Sequence, residues 1–355
     1  MTEAVPAAPV DPAPSGGGDR DRPLALTMGD PAGVGPELAL AAWHAARAAG
    51  DAPFLVVGAA QAFDAVPGRA VPIVAIDDPA KAAQAFATGL PVLKAADLAA
   101  QPVPGRPDVA NAPATIAAID RAVTLARAGA VAGLVTNPIA KHVLRASGFA
   151  HAGHTDYLAH LCGRPADAAV MMLAGRHLRT VPVTVHLPLA HVPAALTPER
   201  LTHVLRTTHR ELQTRFGIAA PRLAVTGLNP HAGEDGMLGY EEQRVIAPVL
   251  DRLRGEGLDL AGPLPADTLF HAEARAGYDA AVAMYHDQAL IPVKALDFFG
   301  TVNVTLGLEI VRTSPDHGTA FDRAGTNSAR PDSLIAALRL ARAMAARADA
   351  TPVAS

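Results

Sequence analysis

The sequence predicts an α/β fold, and three observations predict it. Short apolar runs alternate with longer amphipathic segments. Half of the residues are hydrophobic but only 4% are aromatic, so the core is built from small and branched side chains. Neither an internal repeat nor a long linker interrupts the alternation, so a second domain would share strands with the first rather than follow it as a separate bead. At 355 residues the chain fits one large or two medium α/β domains.

The elements follow in order. Residues 1–22, MTEAVPAAPVDPAPSGGGDRDR, are rich in Pro, Ala, Gly and Asp and read as a disordered arm. They lack the basic and apolar regions of a secretory signal. The folded body is expected over 23–345, with a flexible tail over 346–355. Strands are expected at LALTM from Leu24, FLVVG from Phe54, VPIVAI from Val71, AGLVTN from Ala132 and AAVMML from Ala168. Further strands are expected at TVPVTVH from Thr180, RLAVTGL from Arg222, AAVAMYH from Ala280 and TVNVTLG from Thr301. Helices should begin near Gly35, Ala112, Thr197, Tyr240 and Pro331. The fourth opens with GYEEQ, which places Glu241 and Glu242 in a first turn, where the helix dipole favours them.

A formal net charge of −4 gives no global field towards nucleic acid or an acidic membrane. A single cysteine, Cys162, rules out an intrachain disulfide, and the cytoplasm is the expected compartment. No apolar run is long enough to span a bilayer.

Three of the expected strands run into a histidine. VPVTVH ends at His186, LAVTGLNPH at His231 and AVAMYH at His286. Ligands of open α/β sheets bind beyond the carboxyl ends of strands. Three imidazoles delivered there can share one divalent ion and leave a position open for a substrate oxygen. Each can equally be a hydrogen-bonded loop residue, and their spacing makes no local metal motif. His203 and His209, among fourteen histidines, fall in a helical run and read as surface residues.

GHTDYL puts His154 and Thr155 where a helix should start, which suits either an anion site or an ordinary N-cap. Lys294, Asn303 and Arg312 lie on or beside the last strands, where they would pair with internal carboxylates or grip a phosphate and a carboxylate. TMGDPAGVGPE follows the first strand like a phosphate-cradling turn, but its glycines, Gly29, Gly33 and Gly35, do not make a dinucleotide fingerprint. They would equally serve a tight turn.

MGDPAGVGPE, VTNPIAK, GHTDYL, VTVHLPL, LNPHAGE, GPLPADTLF, MYHDQ, VNVTLGL and RTSPDHGTAFDRAG stand in one order. That order resembles the 4-hydroxythreonine-4-phosphate dehydrogenase family from about Leu24 to Leu340. The resemblance implies a two-domain α/β/α fold similar to isocitrate and isopropylmalate dehydrogenases, not a Rossmann fold. It implies a homodimer whose active sites lie in clefts and share metal ligands between subunits. The implied metal ligands are His186, His231 and His286, for zinc, magnesium or cobalt. The implied substrate contacts are His154, Thr155, Lys294, Asn303 and Arg312. NAD or NADP would bind the loop from His317 to Asn327, with Gly318, Thr319 and Asp322 among its contacts. Asp287 and Lys294 are the catalytic candidates, Asp287 as a group that orients a metal-held water or relays a proton. The implied reaction oxidises 4-phosphooxy-L-threonine at C3 in vitamin B6 synthesis. Phosphorylated sugar acids are alternative substrates, and a catalytically silent metal- and phosphate-binding protein is the alternative of another class. Asp156 stands where many relatives carry Glu, and Ala289 where Gly is common.

Overall fold

The structure is a computed structural model that describes residues 22–348. The strands are β1 Leu24–Thr27, β2 Phe54–Gly58, β3 Ile73–Ile76, β4 Leu90–Lys94, β5 Gly133–Thr136 and β6 Val170–Ala174. They continue as β7 Arg179–Pro182, β8 Arg222–Thr226, β9 Asp259–Leu264, β10 Ala280–Ala283, β11 Val302–Leu306 and β12 Arg312–Pro315. The chain forms two compact units. It leaves the first after Ala169 and returns to it at Leu308.

In the first unit six strands run in the order β3-β4-β2-β1-β5-β12. Every pairing in that order is parallel. Strands β1, β2 and β5 are buried along their whole length, as expected of parallel strands covered on both faces. Helices Ala112–Arg127 and Asp332–Ala348 pack on this sheet, and helix Gly35–Ala49 packs against the latter. Ala25, Leu55, Leu134, Ile119 and Leu158 meet in its core.

The second unit, Val170–Gly307, holds strands in the order β11-β6-β7-β10-β8-β9. The pairs β11–β6 and β6–β7 are antiparallel, and β7, β10, β8 and β9 are parallel. Leu173, Ala281, Ala283, Leu290 and Val293 form part of its core. Helix Pro198–Thr214 is capped by Thr197, whose hydroxyl accepts from Arg200 N at 3.2 Å. Such a cap stabilises by about 1 kcal/mol.

Three strands were not expected. In β4, LPVLK carries Pro91, and β9 carries Gly262 and Pro263 at the sheet edge; such residues read as turns although edge strands tolerate them. β12 is RTSP, polar in composition yet fully buried. Helix His286–Leu296 was also not expected, because Pro292 lies inside it. Lys294 therefore sits on this helix and not on or beside a terminal strand. His203 and His209 are half-buried on helix Pro198–Thr214, not on its surface, and desolvation lowers the pKa of His209. Helix Asp332–Ala348 extends three residues into the expected tail; the rest of the tail, and the expected arm up to residue 21, lie outside the described residues. Among the described residues no helix is long and apolar enough to cross a membrane.

Candidate active site

The histidines of the second unit follow neighbouring parallel strands. β7, β10 and β8 lie side by side, so their carboxyl ends open on one edge. None of the three histidines belongs to a strand. The β7 ladder continues past Pro182 through Val183 N to Ala283 O at 2.8 Å and Thr184 N to Met284 O at 3.1 Å. The Thr184 hydroxyl adds a bond to Met284 O at 2.8 Å. This extension carries His186 beside His286, with ring centres 5.7 Å apart. His286 opens helix His286–Leu296, and its Nδ1 lies 2.6 Å from Asp287 Oδ1.

Gln288 was missed at the sequence level although it stands in MYHDQ. Its Oε1 accepts from Met284 N at 2.7 Å and Thr226 Oγ1 at 2.8 Å, and its Nε2 donates to Gly227 O at 2.9 Å. It thereby ties the end of β10 to the end of β8. His231 follows β8 on an unusual turn. His231, Ala232, Gly233, Glu234 and Asp235 all have positive φ, between 43° and 82°. A non-glycine residue in that region costs about 1–2 kcal/mol. The turn leaves the His231 side chain 66% exposed, with Nδ1 3.6 Å from Glu234 Oε2.

The structure thus brings His186 and His286 together and does not bring His231 to them. Among the described residues no group of three His, Cys, Asp or Glu side chains encloses a cation position. The donor chemistry still fits a divalent ion. Two imidazoles on one tetrahedral ion have ring centres about 5 Å apart, close to the 5.7 Å between His186 and His286. A carboxylate hydrogen-bonded at Nδ1, as Asp287 is on His286, favours the tautomer that leaves Nε2 to a metal. Nearby, Lys294 is half-buried with Nζ 5.8 Å from the Phe298 ring centre. Asn303 is half-buried in β11, in register with Leu173.

The first unit holds the other residues. Arg312 begins β12 beside β5 and is 3% exposed. Its Nη2 donates to Thr136 Oγ1 at 2.6 Å, and burial lowers its pKa to about 10, so it stays cationic at neutral pH. His154 and Thr155 open helix His154–Leu161, and the Nε2 of His154 is buried with no hydrogen-bond partner among the described residues. Desolvation, then the charges of Arg312 and Lys141, push the His154 imidazole well below its ordinary pKa. Lys141 was quoted in VTNPIAK but given no role. Its Nζ passes 3.4 Å from where a Cβ on Gly153 would lie, just before His154. Asp156 accepts from Ala152 N at 3.0 Å, so it braces the turn into this helix.

The glycine turn and the His317–Asn327 loop meet in the same unit. Val34 N donates to Thr319 O at 3.0 Å, and Gly325 N donates to Glu37. A Cβ on Gly33 would lie 3.1 Å from Thr319 O, so that glycine serves a close approach of two backbones. His317, Gly318, Asp322 and Asn327 are exposed and Thr319 is half-buried. Nothing lies within 4 Å of a Cβ placed on Gly318. The loop thus presents open, polar backbone at Gly318.

Comparison with known proteins identifies the family. The sequence profile of the family described as pyridoxal phosphate biosynthetic protein PdxA matches residues 48–341. A protein named 4-hydroxythreonine-4-phosphate dehydrogenase from Methylorubrum populi is 54% identical over 334 residues, covering 92% of this chain and 95% of its own. A 4-hydroxythreonine-4-phosphate dehydrogenase crystal structure from Klebsiella pneumoniae superposes with TM-score 0.82 at 38% identity, covering 91% of this chain and 99% of that one. A terephthalate 1,2-cis-dihydrodiol dehydrogenase from Burkholderia xenovorans superposes with TM-score 0.63 at 32% identity, covering 91% and 98%. The chain belongs to the PdxA family of pyridoxal phosphate biosynthetic proteins.

Proposed function

We propose that this chain is a dehydrogenase that oxidises 4-phosphooxy-L-threonine at C3 with NAD or NADP, in vitamin B6 synthesis. The product, 2-amino-3-oxo-4-(phosphooxy)butanoate, then loses CO2 to give 3-amino-2-oxopropyl phosphate. The observation that carries this reading is the near-full-length relation, at 54% identity, to a chain named for that activity. The side chains support it. His154, Thr155, Lys294, Asn303 and Arg312 would bind the phosphate and carboxylate through charge-assisted hydrogen bonds. A neutral His154 beside two cations accepts an anion without adding a third buried charge.

His186 and His286, with His231 supplied by a second copy in a homodimer, would hold one zinc, magnesium or cobalt ion, whose Lewis acidity lowers the pKa of the substrate hydroxyl. Asp287 would hold the His286 ring and relay a proton at Oδ1. Lys294 would hold charge beside the reacting hydroxyl. The loop containing His317, Gly318, Thr319, Asp322 and Asn327 would seat the nicotinamide dinucleotide. The cytoplasm is the proposed compartment.

A second reading, oxidation of another vicinal hydroxy compound, is favoured by the 32% identical relative named for a dihydrodiol. Steady-state NADH formation on 4-phosphooxy-L-threonine, 4-phospho-D-threonate and 4-phospho-D-erythronate separates the readings. We expect kcat/KM for the amino acid to lead by about tenfold or more, because a site that pairs an amino group penalises its absence. Preference for a sugar acid would overturn the substrate. Silence on all three with metal supplied would overturn the activity.

A further inference from the structure

We propose that Glu242 is the positioning residue that holds the left-handed His231 turn in place. This rests on the reading of His231 as a metal ligand. Five successive residues with positive φ form that turn, and four of them are not glycine. Such a turn needs a tether outside itself. Glu242 supplies it from the π-helical stretch Glu242–Ile246, where the residue is only 3% exposed. Oε1 accepts from Leu228 N and Asn229 N, each at 2.8 Å, and Oε2 accepts from Asn229 Nδ2 at 3.0 Å. Asn229 Nδ2 also donates to Glu241 Oε2 at 2.7 Å. The acid expected to face its own helix dipole instead binds the two residues that lead into the turn.

The glycines around it point the same way. A Cβ on Gly227 would lie 2.9 Å from Glu242 Oε1, and one on Gly233 2.6 Å from Oε2. One on Gly239 would strike the Asn229 amide. Gly233 belongs to the turn itself, so the carboxylate touches the turn at its centre as well as at its entrance. Without the anion, Leu228 and Asn229 lose their acceptor and the turn relaxes to a right-handed path. His231 would then leave the direction in which it is presented.

Glu242→Gln tests this, because it keeps the shape but turns one acceptor into a donor facing the Asn229 amide. Three variants of the full chain are compared with the parent: E242Q, E242Q/A232G and H231A. Affinity for Co2+ is measured by titration, and amide hydrogen exchange is followed at residues 228–236. E242Q should weaken Co2+ binding by about tenfold or more, as loss of ligand-orienting contacts does. Leu228 and Asn229 should exchange faster. Adding Ala232→Gly should recover about fivefold, since glycine adopts φ 53° without strain. That rescue restores no hydrogen bond, so a merely structural Glu242 would not show it. The proposal is overturned if E242Q binds Co2+ as tightly as the parent while H231A does not, or if Ala232→Gly rescues nothing. If H231A itself binds Co2+ normally, the ligand assignment fails, and unchanged exchange at Leu228 in E242Q is then what overturns the tether. Should E242Q not fold, Ala232→Gly alone decides: relief of strain raises the melting temperature, and a fall overturns the proposal.

Discussion

The two units use the same side chain in opposite electrostatic company. In Val170–Gly307, His286 has the Asp287 carboxylate hydrogen-bonded at Nδ1, and the largely exposed His231 has the Glu234 carboxylate 3.6 Å from its Nδ1. In the other unit His154 has a buried Nε2, and the charges of Arg312 and Lys141 act on its ring. A carboxylate partner leaves the second nitrogen to a cation. Desolvation beside cations keeps the ring neutral and leaves room for an anion. A histidine's role is therefore read from its neighbours and not from its place at the end of a strand.

Three perturbations sharpen this contrast. The largest effect is expected at the cation side. His286→Ala should lower metal content and turnover together, with affinity down by more than about a hundredfold, because a direct ligand outweighs the contacts that orient it. Turnover that survives verified metal loss would remove the metal from the mechanism.

Next comes the anion side. Arg312→Lys keeps the charge but loses the planar fork that reaches Thr136. We expect kcat/KM to fall about ten- to a hundredfold, about 1.4–3 kcal/mol, with metal content unchanged. A large drop in the melting temperature of the unliganded variant, with kcat/KM nearly intact, would make Arg312 part of the scaffold.

The smallest effect concerns His154 and pH. Its folded-state pKa lies below the ordinary 6.5. Above that value the ring is neutral in both folded and unfolded chains, and its contribution to stability is complete. Below it the unfolded chain takes up the proton first, so stability is lost as pH falls from 6.5 towards the folded pKa. His209, also lowered by burial, adds in the same direction. Between about pH 6.5 and about pH 5.5 the melting temperature of His154→Asn should fall less than the parent's, by roughly 2–4 °C. Parallel curves would show that the native ring protonates normally.

Periodicity made much of the fold legible. β1, β2 and β5 are uninterrupted apolar runs because both faces of a parallel sheet are covered, and such runs survive in any context. The strands that were missed carry Pro91, Gly262 or the polar RTSP, where packing overrides composition. Lys294 was misplaced because Pro292 hid its helix. In the site, ordered motifs pointed to His154, His186, His231, His286 and Arg312. Gln288, Lys141 and Glu242 stand in quoted stretches, but their contacts run across 13–62 residues of sequence, or through a gap that only folding closes, and no local pattern shows those contacts.

The sequence by itself determined the alternation of strands and helices, the family, and which side chains stand just beyond strand ends. Those properties depend on local periodicity and residue order. Tertiary structure alone decided which of those side chains meet. The β7 extension along β10 brings His186 to His286, while a left-handed turn keeps His231 apart from both. Pairing register, burial and backbone handedness are set by contacts distant in sequence, and they separate an imidazole beside a carboxylate from one beside cations.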